Sequence, residues 1–287
     1  MNGIVIVDKP AGWTSQDVTA RLRRVFNTRR IGHGGTLDPM ATGVLPVFVG
    51  RATRGVEFFE HAEKTYEAVL QLGLTTDTED TSGTVLTKQE VCISEADFLS
   101  ILPQFRGEIM QIPPMYSALK INGQKLVDLA RKGKTVERQP RPITIHELEL
   151  LAFSGDTARL RVRCSKGTYI RTLCKDIGEA LGCGGCMAAL RRVKAGEYTI
   201  AESVPMQTLL DCENPEQYLR AVDTMFRNHP AVKLTAKQEK RCRNGNSFTL
   251  GIPDGTYRAY SESGEFLMLA KVEEGIMSTV KSFFEVE

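Results

Sequence analysis

The stretch His33-Gly34-Gly35-Thr36-Leu37-Asp38-Pro39-Met40-Ala41-Thr42-Gly43-Val44-Leu45 constrains this chain more than any other. One carboxylate stands between a glycine pair and a proline, and an apolar run from Val44 to Val49 follows at once. Gly34 and Gly35 open backbone angles that other residues avoid. Pro39 pushes Asp38 out of the helical region toward extended geometry. The pattern predicts a shaped loop that holds Asp38 and leads into a buried strand. On chemistry alone two readings stand: a presented reactive carboxylate, or a surface turn whose Asp oxygens bond nearby backbone.

A chain of 287 residues, 41% hydrophobic and 25% charged, has ordinary soluble globular composition and is sized for one large domain or two smaller ones. No apolar run is long enough to span a bilayer, and Ile4 to Val7 is too short for a signal peptide. The expected location is the cytoplasm, where seven cysteines do not make a disulfide framework. The net charge of +2 does not by itself imply a nucleic-acid partner. Its distribution says more. Arg21, Arg23, Arg24, Arg29 and Arg30 form one basic cluster, Arg131, Lys132, Lys134, Arg138 and Arg141 a second, and Arg191, Arg192 and Lys194 a third. Glu57, Glu60 and Glu63, then Asp77, Glu79 and Asp80, gather apart from them. Sorted clusters can build a basic face. Each taken alone reads equally as a solvated helix or loop.

Gly3 to Val7 reads as an apolar strand ending in the turn Asp8 to Gly12. Thr14 with Asp17 has the spacing of a capping box, opening a helix with Val18, Leu22 and Val25 that runs to about Phe26. From Thr65 to Leu74 the residues alternate, which puts Tyr66, Ala68, Leu70 and Leu72 on one face of a strand. Thr75 to Gly83 reads as a polar turn, and Ser94 as the cap of a helix through Leu102. Gly123 to Pro142 is a polar, basic excursion from the core. Ile143 to Leu151 and Ala158 to Cys164 read as strands, Thr168 to Leu181 and Glu216 to Arg227 as helices. Short strands around glycines fill 231–287, a β-rich module too small for a large core. Hairpin-like strands with separated helices argue for an α+β fold.

Further segments carry a resemblance. They are Asp8-Lys9-Pro10-Ala11-Gly12-Trp13-Thr14-Ser15, Lys64-Thr65-Tyr66-Glu67-Ala68, Gly73 to Gly83 with Thr76-Asp77-Thr78, Pro113-Pro114-Met115-Tyr116-Ser117-Ala118, Gly167-Thr168-Tyr169-Ile170-Arg171, and Leu190-Arg191-Arg192. Together with the Asp38 loop, in this order, they resemble the TruB-type tRNA pseudouridine-55 synthases. The resemblance implies a mixed, largely antiparallel central sheet flanked by helices, catalytic over 1–230, and a C-terminal PUA-like RNA-binding module over 231–287. It implies an isomerase that converts the uridine at position 55 in the T loop of tRNA to pseudouridine by base flipping. It makes the T stem-loop of tRNA the partner, with a possible accompanying role in tRNA folding. The excursion at 123–142 is what grips RNA in stand-alone members, so no guide RNA is expected. A monomer is the default.

By the same resemblance Asp38 is the nucleophile, Tyr66 packs against the flipped base, and Arg171 pairs with Asp38 and keeps it ionised. His33 helps displace the target nucleotide, Tyr169 contacts substrate, Leu190 lines the uracil pocket, and Lys9 is structural or faces a phosphate. On periodicity alone Tyr66 and Leu190 are core residues and Arg171 a solvent-facing helix arginine. The isomerisation conserves atoms and electrons, so no cofactor and no metal are expected. None of His33, His61, His146 and His229 has metal-ligand spacing with another. Two features depart from the common family form. Cys183-Gly184-Gly185-Cys186 replaces a Gly-x-Gly-Ala-His-like stretch, and a lone pair of cysteines is weak evidence for metal or redox chemistry. Leu126-Val127 stands where relatives often place a tyrosine before the Ala130-Arg131 pair.

Overall fold

The computed structural model describes residues 1–285. The chain opens with β1 (Gly3–Lys9), α1 (Ser15–Val25), β2 (Ile31–His33), β3 (Thr42–Val49) and α2 (Val56–Glu60). There follow β4 (Lys64–Leu72), β5 (Leu74–Thr76), β6 (Val85–Lys88), α3 (Glu95–Ile101), β7 (Gly107–Gln111), β8 (Lys120–Ile121), β9 (Gln124–Lys125) and α4 (Leu126–Ala130). Next come β10 (Arg141–Ser154), β11 (Thr157–Cys164), α5 (Ile170–Ala180), β12 (Gly185–Ala195), β13 (Tyr198–Thr199), β14 (Val204–Pro205) and α6 (Met206–Asp211). The last are β15 (Ala231–Lys233), α7 (Ala236–Arg243), β16 (Phe248–Thr249), β17 (Gly255–Tyr260), β18 (Phe266–Glu273) and β19 (Ile276–Ser282).

Two compact units result. One holds Met1–Pro39, Leu45–Glu60 and everything described from Ala201 on; the other holds Met40–Val44 and His61–Ile200. β3 is the strand whose residues divide between them. In the first unit the strand order is β14-β1-β3, with β2 antiparallel on β3 and β14 parallel to β1. β1 is almost wholly buried, which accounts for its unbroken apolar run. α1 begins as the sequence predicts: Thr14 and Asp17 form both arms of a capping box. Its inward face is Ser15, Val18, Thr19 and Leu22, with Phe26 buried just beyond, while Val25 is only half buried.

The second unit is an antiparallel array in the order β12-β4-β11-β10-β7. The first residues of β3 join β12 in parallel, Thr42 opposite Arg191 and Gly43 opposite Arg192. The sheet is therefore mixed and largely antiparallel, as expected. α5 covers β12 and β4. Glycine makes that possible: a Cβ on Gly178 would lie 2.3 Å from the Gly185 nitrogen and 2.4 Å from the Gly184 carbonyl carbon. The glycines of the Cys183–Cys186 stretch thus serve close helix-on-strand packing.

Beyond Pro230 a five-stranded sheet, β15-β17-β18-β19-β16, carries its own core of Leu234, Phe248, Leu267, Met268, Val272 and Met277. This is the small β module anticipated, but it also contains α7, whose capping box at Thr235 and Gln238 escaped the sequence reading. The expected helix over Glu216 to Arg227 does not form. Two short 3₁₀ turns, Pro215–Tyr218 and Val222–Phe226, stand there instead. Between them Arg220 exchanges both backbone hydrogen bonds with Ile4, at 2.8 and 2.9 Å. A β bridge to a buried strand has overridden local helical spacing.

Candidate active site

The Asp38 loop is pinned on both sides of the carboxylate. Before it, the Ser15 hydroxyl receives the Leu37 N–H at 2.9 Å and donates to the Leu37 carbonyl at 3.2 Å. After it, the Pro39 carbonyl accepts from the Gly12 N–H at 2.8 Å and from the Lys9 ammonium at 3.2 Å. Leu37 turns into the core and Asp38 stays partly open. Lys9 is 0% exposed and donates to three carbonyls, those of Pro10, Trp13 and Pro39. These three bonds tie the end of β1 and the turn after it to the Asp38 loop. His33 closes β2, opposite Val47 and half buried. Gly34 is tightly enclosed, since a Cβ there would sit 2.4 Å from the Phe59 ring. Gly35 adopts φ 88°, a conformation few side chains accept.

In the second unit Tyr66 sits in β4 between Val162 of β11 and Arg192 of β12. It shares its strand face with Ala68, Leu70 and Leu72, all buried. Leu190 is opposite Ala68 and therefore diagonal to Tyr66 on that same face. The structure thus brings Tyr66 and Leu190 together as neighbours. Arg192, which reads in the sequence as one of the surface basic residues, is 1% exposed. Its Nε donates to the Val44 carbonyl at 2.7 Å, and Arg191 reaches the Thr42 hydroxyl at 3.2 Å. Gly43 meets the same strand so closely that a Cβ would lie 2.2 Å from the Arg192 carbonyl oxygen. The segment that continues the Asp38 loop is therefore clamped to β12, and the third basic cluster is half structural.

Tyr169 and Arg171 stand at the head of α5. Tyr169 is the N-cap residue, extended, with no side-chain capping bond of its own. The buried Gln111 side chain holds its backbone from β7. Arg171 is buried rather than solvent-facing. Its guanidinium donates to the Thr78 carbonyl at 3.1 Å and the Tyr116 carbonyl at 2.8 Å, and Nε lies 3.9 Å from Asp80. Asp80 is 5% exposed and organises its own loop, accepting from the Thr78 hydroxyl and from the Ser82 N–H and hydroxyl. The polar turn over 75–83 and the Pro113–Ala118 motif thus converge on one arginine. Sequence reasoning missed Gln111 and Asp80, because a buried polar residue looks like any surface one until its partners are known.

The basic excursion over 123–142 holds β9, the second strand of a tight hairpin with β8, then the short α4 and irregular chain into the start of β10. Arg131, Lys132, Lys134 and Arg141 are exposed, whereas Arg138 is half buried and donates to the Pro113 carbonyl at 3.2 Å. The first cluster, Arg21 to Arg30, is exposed throughout. Cys183 and Cys186 are buried free thiols, and burial pushes the Cys186 thiol up to about 11. No group of three or more His, Cys, Asp or Glu able to hold a metal ion occurs among the described residues. No helix among them is long and apolar enough to cross a membrane.

A mixed, largely antiparallel sheet flanked by helices, with a small C-terminal β module, is the fold of a class, the pseudouridine synthases. The fold agrees with solved members. A Cbf5-Nop10-Gar1 complex matches with a TM-score of 0.75 and 26% identity, over 99% of this chain and 85% of that one. An archaeal box H/ACA Nop10-Cbf5 complex matches at 0.73 and 25%, over 99% and 87%. Residues 23–170 match the N-terminal domain of the TruB family pseudouridylate synthases, and residues 171–223 the C-terminal domain of tRNA pseudouridylate synthase B. Curated tRNA pseudouridine synthases B are similar over nearly the whole chain. That of Dechloromonas aromatica is 46% identical over 91% of this chain and 89% of its own length. That of Clostridium kluyveri is 40% identical over 99% and 100%. The chain belongs to the TruB family of pseudouridylate synthases, which are isomerases.

Proposed function

We propose that this chain is a stand-alone tRNA pseudouridine synthase acting on the uridine at position 55 in the T loop. The observation that carries the reading is the pinned loop, with Ser15 on Leu37 and Lys9 and Gly12 on Pro39, which leaves Asp38 in one fixed place. The naming of relatives as tRNA pseudouridine synthase B supports tRNA as the substrate. Exposed arginines and lysines on α1 and in the 123–142 excursion supply phosphate contacts, so binding weakens steeply with salt.

The reaction breaks the N1–C1′ bond, turns the uracil and forms a C5–C1′ bond. The C5 proton leaves to solvent and N1 gains one. Uridine 55 flips from its stack at a cost of a few kcal/mol. Asp38 is the nucleophile, suited to trapping positive charge at C1′ or to adding to the ring. Tyr66 stacks on the flipped base, and Leu190, beside it on the same strand face, lines the uracil pocket. Arg171 keeps Asp38 charged, while His33 and Tyr169 hold the displaced nucleotide. Lys9 acts through the Asp38 loop, and the 231–285 module is a PUA-like RNA-binding surface working beside a catalytic region up to residue 230. A T-arm stem-loop carrying tritium at uridine C5 tests this. The parent should release label to water, and Asp38→Asn should bind the RNA equally well and release none. Release at the parental rate by Asp38→Asn would sink the nucleophile assignment.

A further inference from the structure

Gln111 ends β7 with 2% of its surface exposed. Register fixes its direction. Ile109 pairs with the buried Ile143 and Gln111 with Arg141, while Met110 between them points to solvent. The inward amide then meets the backbone of Tyr169 at two points. Its Oε1 accepts the Tyr169 N–H at 2.8 Å, and its Nε2 donates to the Tyr169 carbonyl at 3.0 Å. That carbonyl also receives the first helical bond of α5, from the Leu173 N–H at 3.0 Å. A primary carboxamide carries a donor and an acceptor spaced to pair both backbone groups of a single residue, and it does so at every pH. Gln111 therefore does for Tyr169 what a neighbouring strand would do.

Tyr169 has extended backbone and no cap of its own, so the direction in which α5 starts is set from outside. Two residues on, Arg171 is held by the Tyr116 carbonyl at 2.8 Å. The short segment from Gln111 to Tyr116 thus grips both the backbone ahead of Arg171 and its guanidinium. We propose that Gln111 is a positioning residue for pseudouridine formation: by pairing both backbone groups of Tyr169 it fixes the first turn of α5 and with it the Arg171 and Tyr169 side chains. The proposal rests on the proposed function, in which these two side chains serve the reacting uridine.

Substitutions separate the parts. Gln111→Met keeps length and bulk but offers neither bond. Gln111→Glu keeps an acceptor for the N–H yet, when ionised, turns a lone pair toward the Tyr169 carbonyl. When protonated it regains the donor. Single-turnover rates at saturating T-arm RNA, filter-binding affinities and thermal melts are measured for both, for Arg171→Lys, and for Gln111→Met combined with Arg171→Lys. Gln111→Met should lose about 10²-fold in rate while RNA affinity stays within about threefold, the signature of a misplaced group rather than of weaker binding. The double variant should be no slower than Arg171→Lys alone. The rate of Gln111→Glu relative to the parent should recover as pH falls. A parental rate in Gln111→Met, or a loss that multiplies with that of Arg171→Lys, overturns the proposal. A parental rate in Arg171→Lys instead sinks the site reading and the Gln111 role with it. Should Gln111→Met fail to fold, the profile of Gln111→Glu decides, and one parallel to the parent's at every pH overturns the proposal.

Discussion

Ser15 shows how one side chain sets a site it never enters. Its hydroxyl both gives and takes a bond with Leu37, beside Asp38. Ser15→Ala leaves a buried N–H and a carbonyl without that partner, which costs about 1–3 kcal/mol. The same loss loosens the loop on one side only. Tritium release by Ser15→Ala is expected to fall by roughly tenfold or more, beyond what its thermal melt explains. An unchanged rate would mean that Lys9 and Gly12 suffice to hold Asp38. The sequence displayed Ser15 only as part of a helix start, because its inward bond depends on a loop 22 residues away. Arg192 is the same lesson in reverse, a charge that reads as surface and is core. The thiols make a separate case. Burial lifts Cys164 and Cys186 to about 11 and Cys174 further still, and thiolate is the reactive form. Cys92 is exposed and should label first with a thiol reagent at neutral pH, with Cys164, Cys174 and Cys186 labelling only on unfolding. Mass spectrometry of a labelling time course checks the order.

At the scale of elements, the decisive packing is α5 on β12. Gly178 touches the Gly184–Gly185 backbone so closely that an added methyl has nowhere to go, since backbone cannot swing aside as a side chain can. Gly178→Ala is expected to cost about 1–3 kcal/mol, the usual range for overpacking, read as a lowered midpoint in urea. Elements announced by local chemistry were legible: the capping box at Thr14, the helix cap at Ser94, and the alternation through Tyr66 to Leu72. Those that depend on distant partners were not. β12 mixes Leu190 with Arg191, Arg192 and Lys194, and becomes a strand because β4 and β3 flank it. The stretch 216–227 has helical spacing but yields to the Ile4 bridge. The basic excursion was visible as composition alone. Replacing Lys132 and Lys134 by alanine should weaken T-arm binding and flatten its salt dependence, by about one unit of slope for each phosphate that a lysine had neutralised. Filter binding across a salt series reads this directly.

On the scale of the whole molecule, the C-terminal module belongs to the same compact unit as the N-terminal strand, and its attachment is chemically specific. Phe266 and Phe283 pack with Phe226, which in turn meets Phe58 edge-on at 5.4 Å. Beside them the Tyr260 hydroxyl donates to Asp223 at 2.6 Å, and the Arg258 guanidinium stands 3.8 Å from the same carboxylate. Burial, and then the bond to Asp223, push the Tyr260 hydroxyl up from 10 to about 12. Folding therefore favours the neutral phenol. The stability this supplies is complete below the unfolded value near 10 and is lost as pH climbs through about 12. Tyr260→Phe lacks the hydroxyl and so lacks this alkaline component, while keeping the ring against Phe266. The difference in unfolding free energy between parent and Tyr260→Phe, from urea melts, should hold level from pH 8 to about 10 and shrink steadily toward about 12. A difference that stays level through that window would show that the hydroxyl does not lose a folded-state bond on ionising.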